Sequence, residues 1–130
     1  MNPELQGRVF APTPPYLVGR EKVREFARAA GYPDLVAPPT FPVVLQEFTL
    51  QQLLSEPDAG IDFSRVVHGD QRFTFSRPIV AGDELTATLT ITSVKSLGGH
   101  SMVTSESEIV DATGAHVVTA TSTLVVRGEE

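Results

Sequence analysis

Leu85, Ala87, Leu89 and Ile91 alternate with Glu84, Thr86, Thr88 and Thr90. Period two is the spacing of side chains on a pleated strand, so this stretch offers one face to a core and the other to water. Residues 102–110 and 116–126 continue the alternation with many Val, Thr and Ser, residues that suit a pleated surface. Between these runs lie Ser96-Leu97-Gly98-Gly99 and Asp111-Ala112-Thr113-Gly114-Ala115, where glycine supplies the positive φ of a tight reversal. The pattern predicts an antiparallel meander whose inner face must be covered by another element.

That cover is sought upstream. Val23, Phe26, Ala27 and Ala30 recur at i, i+3, i+4 and i+7, which predicts a short amphipathic helix from Arg20 to Ala30 between Gly19 and Gly31. The proline-rich residues 12–15 before it cannot be helix interior, and Gly31 to Pro39 reads as a loop. Thr40 is placed to cap a second helix, with Pro42 in its first turn and an end near Ser55. Phe41, Val43, Val44, Leu45, Phe48, Leu50, Leu53 and Leu54 cover more than one face of that helix. It is therefore expected to be buried on several sides, as a helix wrapped by a curved sheet would be. With a short strand near Tyr16 to Val18, the whole is an α+β arrangement in a single domain over residues 1–130.

The 130 residues, 41% of them hydrophobic, suffice for one core. Sixteen acidic against ten basic side chains give a net charge of −6, which opposes nucleic acid and anionic lipid. Arg20, Lys22, Arg24 and Arg28 share one helix but are interleaved with Glu21 and Glu25, as on a solvated helix face laced with ion pairs. A small patch for an acidic ligand is the alternative there. The chain has no cysteine, so disulfides, thiolate nucleophiles and thiolate-bound zinc are excluded. No stretch reaches the roughly 18 apolar residues of a membrane span, and the start is neither basic nor apolar. A soluble cytoplasmic protein without nucleic-acid or membrane partners is the expectation.

Few residues carry chemistry. His68 and Asp70, two apart in a strand, would point to the same side and could form an acid/base pair. His68 can equally be a structural or interface residue, or line a ligand. His100 and His116 follow turns and are expected to be exposed, and neither has a carboxylate at metal-ligand spacing, so no metal site is expected. Ser101, Ser105 and Ser107 lie in a strand without the Gly-x-Ser-x-Gly elbow of a serine hydrolase.

Two segments carry a resemblance: Val36-Ala37-Pro38-Pro39-Thr40-Phe41-Pro42, and Val67-His68-Gly69-Asp70-Gln71-Arg72-Phe73 running into Arg77-Pro78 and Ala81-Gly82-Asp83. Together they resemble the hot-dog fold of MaoC-like acyl-thioester dehydratases. More narrowly they resemble the branch that forms the non-catalytic half of heteromeric (3R)-hydroxyacyl-carrier-protein dehydratases and of double-domain dehydratases. Catalytic members carry a Gly-Asp-x-Asn-Pro-x-His element between the short helix and the buried one. Here that interval is Gly31-Tyr32-Pro33-Asp34-Leu35-Val36-Ala37-Pro38, and the residue five beyond Asp34 is Pro39, which has no basic side chain. The resemblance thus implies a subunit of an enoyl hydratase or 3-hydroxyacyl dehydratase of fatty-acid metabolism, whose dyad comes from a second hot-dog chain. Phe41, Val44, Leu45 and Phe48 would line or back the acyl tunnel, with Thr40, His68, Gly69 and Gln71 near its mouth or the subunit seam, where Gly69 would permit a bulge or a close approach of the acyl chain to the backbone. The acyl group would arrive on acyl carrier protein or coenzyme A, without metal or redox cofactor. Two other readings stay open. One is a homodimeric hot-dog enzyme, either a hydratase through His68 and Asp70 or a thioesterase through Glu47. The other is an acyl-thioester binding module without turnover.

Overall fold

The computed structural model describes residues 1–33 and 37–128. The described elements are β1 (Tyr16–Leu17), α1 (Arg20–Ala30), α2 (Val43–Leu54), β2 (Val66–Phe75), β3 (Glu84–Leu97), β4 (His100–Val110) and β5 (His116–Val126), with single 3-10 turns at Pro3–Leu5 and Phe63–Arg65. All strand pairings are antiparallel, in the order β1-β3-β4-β5-β2. The sheet curls around α2 in the hot-dog arrangement that the alternation and the buried-helix pattern predict.

Local chemistry sets the reversals. Gly98 and Gly99, at φ 60° and 82°, turn β3 into β4, with Leu97 opposite His100. In the β4–β5 turn the Asp111 carboxylate accepts from the amides of Thr113 and Ala115 at 2.9 and 3.1 Å, so the side chain closes the loop on its own backbone.

The face toward α2 is the one the alternation assigns. Leu85, Ala87, Leu89 and Ile91 are buried beside Val103, Ser105, Ser107 and Ile109 of β4 and Val118, Ala120, Ser122, Leu124 and Val126 of β5. Ser105 stands opposite Ser122, and Ser107 opposite Ala120. This floor of small residues in the central strands lets the helix lie close, and Thr49 Oγ1 reaches Ser107 Oγ at 2.8 Å. Phe41, Leu45 and Leu53 bury completely, each gaining about 2 kcal/mol from lost water contact. Phe26 of α1 meets Phe41 edge-on at 5.3 Å between centroids, joining the amphipathic helix to the start of the buried one.

Two features differ from the sequence reading, and a third lies where it made no assignment. Thr40 is not the cap of α2: the helix is preceded by Pro42, without a side-chain cap bond, and Thr40 instead closes a turn through its carbonyl, which accepts from the Val43 amide at 3.1 Å. α2 buries one face, through Leu45, Gln46, Thr49 and Leu53, while Glu47 and Phe48 are exposed. Residues 7–13 run beside β3, the amides of Gly7, Phe10 and Thr13 donating to Ile91, Leu89 and Ala87 carbonyls at 2.7–2.9 Å. That extension covers the β3 side of the sheet, so β2 is the long strand left at an open edge.

Candidate functional site

β2 does not run straight. His68 pairs with Leu124 and Asp70 with Thr123, so Gly69 is an extra residue in a bulge. The bulge reverses the facing of the residues beyond it. His68, Gln71, Phe73 and Phe75 lie opposite Leu124, Ser122, Ala120 and Val118, on the core side. Asp70 and Arg72 lie opposite Thr123 and Thr121, on the outer side, where Asp70 Oδ2 meets Arg72 Nε at 3.4 Å. The expectation that His68 and Asp70 share a side is thereby corrected, and with it their pairing as acid and base. A Cβ on Gly69 would stand 3.3 Å from a Val125 methyl and 3.5 Å from the Thr123 carbonyl oxygen. The close approach that glycine permits here is to β5.

The core side of this edge carries a row of polar groups under α2. The His68 Nε2 and Ser122 Oγ atoms are 3.2 Å apart. Gln71 and Gln46 exchange amide hydrogen bonds of 2.8 Å in both directions, and Gln71 also donates to the Thr121 carbonyl at 3.1 Å. Gln46 is 3% exposed, so each polar atom needs such a partner. Thr49 donates to the Gln46 carbonyl at 2.8 Å and continues the row to Ser107. Sequence reasoning missed Gln46 and Thr49, although Thr49 falls four residues from both Leu45 and Leu53, on the buried stripe. Of the residues expected to wall a tunnel, Phe41 and Leu45 are core, Val44 is half-buried, and Phe48 is 41% exposed. Phe48 packs against Tyr16, the ring centroids 5.5 Å apart and the planes tilted by 51°.

A cleft of about 270 Å³ opens where the loop into α2 passes the end of β2, lined by Ala37, Pro38, Pro39, Phe75, Ser76, Arg77, Pro78 and Ile79. It adjoins the interval where catalytic relatives would carry their dyad. Asp34 and Val36 lie outside the described residues, and Thr40 does not line the cleft. Arg77 holds its far wall: the guanidinium donates to both Asp83 oxygens at 2.9 and 3.1 Å, to Asp111 at 3.3 Å and to the Pro78 carbonyl at 2.9 Å. Burial works against Asp83 ionising, but hydrogen bonds from Arg77 and the Val80 amide prevail and lower its pKa. Asp111 is lowered to about 2, chiefly by the Thr113 hydroxyl and also by the Thr113 and Ala115 amides and Arg77.

His116 is half-buried, not exposed as expected: Nδ1 lies 2.6 Å from Ser76 Oγ and Nε2 2.7 Å from Thr119 Oγ1. His100 is exposed, and its Nδ1 accepts from the Gly128 amide at 2.8 Å. Among the described residues, then, the histidines hydrogen-bond to hydroxyls and a backbone amide and not to a carboxylate. Glu47 is exposed and accepts from Gln51 at 3.4 Å, remote in character from a buried base. No group of three or more potential metal ligands occurs among the described residues, and no described helix is long and apolar enough to cross a membrane.

Comparison with known proteins agrees with this geometry. Residues 24–120 match the FAS1-like dehydratase domain region. A UPF0336 protein of Leifsonia xyli subsp. xyli is 68% identical, over 100% of this chain and 98% of its own, and one of Clavibacter michiganensis subsp. michiganensis is 64% identical over the same shares. Among solved structures, a C-terminally truncated HadBC (3R-hydroxyacyl-ACP dehydratase) complex from Mycobacterium tuberculosis superposes with a TM-score of 0.82. It is 32% identical, over 93% of this chain and 96% of that one. A MaoC-like dehydratase superposes at 0.79 with 31% identity, over 93% of this chain but 42% of the other.

Proposed function

The chain belongs to the MaoC-like, FAS1-type family of hot-dog (3R)-hydroxyacyl dehydratases, and from that premise we propose that it is the supporting subunit of a heteromeric dehydratase. Its partner, a second hot-dog chain, supplies the Asp/His dyad; this chain supplies one wall of the acyl site. The observation that carries the reading is the β2 bulge. It parts His68 from Asp70, and the described histidines engage hydroxyls and a backbone amide, so no described acid/base pair is poised to activate water.

Two further features support it. β2 presents ten residues at an open edge, most of them exposed, which suits pairing with another chain. The similarity to a two-chain dehydratase over nearly full length, and to less than half of a longer MaoC-like chain, fits a domain that works beside a second one. In such an assembly the acyl group lies along the seam: Val44 and Phe48 contribute wall, Phe41 and Leu45 back it, and Thr40, His68, Gly69 and Gln71 stand near the mouth. The substrate is an enoyl or 3-hydroxyacyl thioester on acyl carrier protein or coenzyme A, in cytoplasmic fatty-acid metabolism, with no metal or redox cofactor.

The test is enoyl-thioester hydration by this chain alone, by a hot-dog chain encoded beside it, and by the two mixed. Turnover that requires the mixture supports the proposal; turnover by this chain alone refutes it.

A further inference from the structure

Ser76 is exposed just beyond the end of β2 and lines the cleft of about 270 Å³ with Ala37, Pro38, Pro39, Phe75 and Ile79. Its amide donates to the Val117 carbonyl at 2.7 Å, which fixes the serine against the start of β5. There its hydroxyl meets the half-buried His116, with Oγ and Nδ1 2.6 Å apart. The other ring nitrogen, Nε2, lies 2.7 Å from Thr119 Oγ1. Each ring nitrogen is thus engaged by one hydroxyl.

A serine hydroxyl is a weak nucleophile until a base takes its proton. With the Nε2–H donated to Thr119, Nδ1 is the acceptor for the Ser76 hydroxyl. A nucleophile facing a cavity, a base within hydrogen-bond reach and a third group orienting that base are the parts of an activated serine. The hydroxyl that occupies His116 is the one it activates, so Nδ1 serves serine and not a bound water. Arg77 lines the same cleft, and its bonds to Pro78, Asp83 and Asp111 use Nη1 and Nη2. Its Nε–H is then the donor on that wall for negative charge developing on a carbonyl oxygen.

We propose that Ser76 is an acyl-accepting nucleophile, activated by His116, for carboxylic esters of a short acyl chain. The reaction is separate from dehydration and requires no partner subunit. Ser76 Oγ bonds to the ester carbonyl carbon as its proton passes to Nδ1. The bond from that carbon to the leaving oxygen breaks, and the alcohol departs with the proton from His116. The products are an acyl-serine and the free alcohol, with no change of oxidation state. A volume below the roughly 300–1,000 Å³ of sites for drug-sized ligands suits an acyl chain of a few carbons.

The experiment mixes the full chain with p-nitrophenyl butyrate, follows nitrophenolate by absorbance, and maps the acid-quenched protein by mass spectrometry. A butyryl group on Ser76 is expected, with nitrophenolate released in equal amount at early times. Ser76→Ala removes both signals. His116→Gln keeps a hydrogen-bonding side chain beside Ser76 but no base, and slows acylation about 100-fold or more. Thr119→Val slows it as well, and Thr119→Ser restores it, as a positioning residue requires. His100→Gln, which alters an exposed histidine engaged by the Gly128 amide, leaves the rate unchanged. Melting curves check each fold; Ser76 is exposed, so Ser76→Ala and the mapping decide the matter even if His116→Gln unfolds. A butyryl group on another residue in place of Ser76 overturns the proposal. So does an undiminished rate in Ser76→Ala, or a folded His116→Gln chain as fast as the native one.

Discussion

Gln46→Met tests whether the amide pair across α2 and β2 is an energetic tie. Methionine keeps the unbranched shape and fills the same space, so the packing around a residue 3% exposed is preserved. What is lost is the reciprocal pair of 2.8 Å hydrogen bonds with Gln71, worth about 2 kcal/mol at a net 1 kcal/mol each. Gln71 is half-buried and keeps its bond to the Thr121 carbonyl, so water can reach its freed oxygen and no full desolvation penalty is added. The expected loss is about 1–2 kcal/mol, or about 4–8 °C in Tm for a chain of this length. Circular dichroism during heating and urea titration measures it, with Gln71→Met and the double variant completing a cycle. The double variant should be less damaged than the sum of the singles by about 1 kcal/mol. Strictly additive losses, or a neutral Gln46→Met, would refute the tie.

Gly69→Ala forces a methyl to within 3.3 Å of a Val125 methyl, and a loss of about 1 kcal/mol in urea is expected; a gain in stability would show that the bulge does not need glycine. Leu45→Ala empties a fully buried position and should cost about 3 kcal/mol, read as a lower urea midpoint at unchanged slope. Asp111 has a folded pKa of about 2 against an ordinary 3.8. Its stabilisation is therefore fully present above the unfolded value and is lost as pH falls through the folded one. Melting temperature should drop between pH 4 and pH 2 (~2 pH units), and Asp111→Asn should start lower at neutral pH and decline less steeply in acid; parallel curves would contradict the assignment.

Much of this was legible in the residues because local signals and tertiary burial agree there. The apolar spacing of Val23, Phe26, Ala27 and Ala30 locates α1, and the alternation from Glu84 onward assigns the core face of β3 before any partner strand is known. The two resemblance segments flank the cleft and the bulged edge. What escaped has a physical reason in each case. Glycine at position 69 marks where a bulge can form, but its effect on facing depends on how β2 meets β5: the extra residue turns Gln71 inward and Asp70 outward, which period-two reasoning cannot foresee. Gln46 buries a polar amide that is tolerable only because Gln71 lies opposite. Residues 7–13 pair along β3 without strand periodicity, and the proline-rich residues 12–15 where they end say only that no helix runs there. Thr40 has the chemistry of a cap, but the chain tightens into a turn before Pro42 and leaves it unused.

The most direct measurement titrates this chain into a fixed amount of the dyad-bearing hot-dog partner and follows loss of the conjugated-enoyl absorbance. The account predicts no turnover from this chain alone and a rate that climbs to a plateau at equimolar chains. Turnover by this chain without the partner, or a partner whose rate is indifferent to its addition, would contradict it.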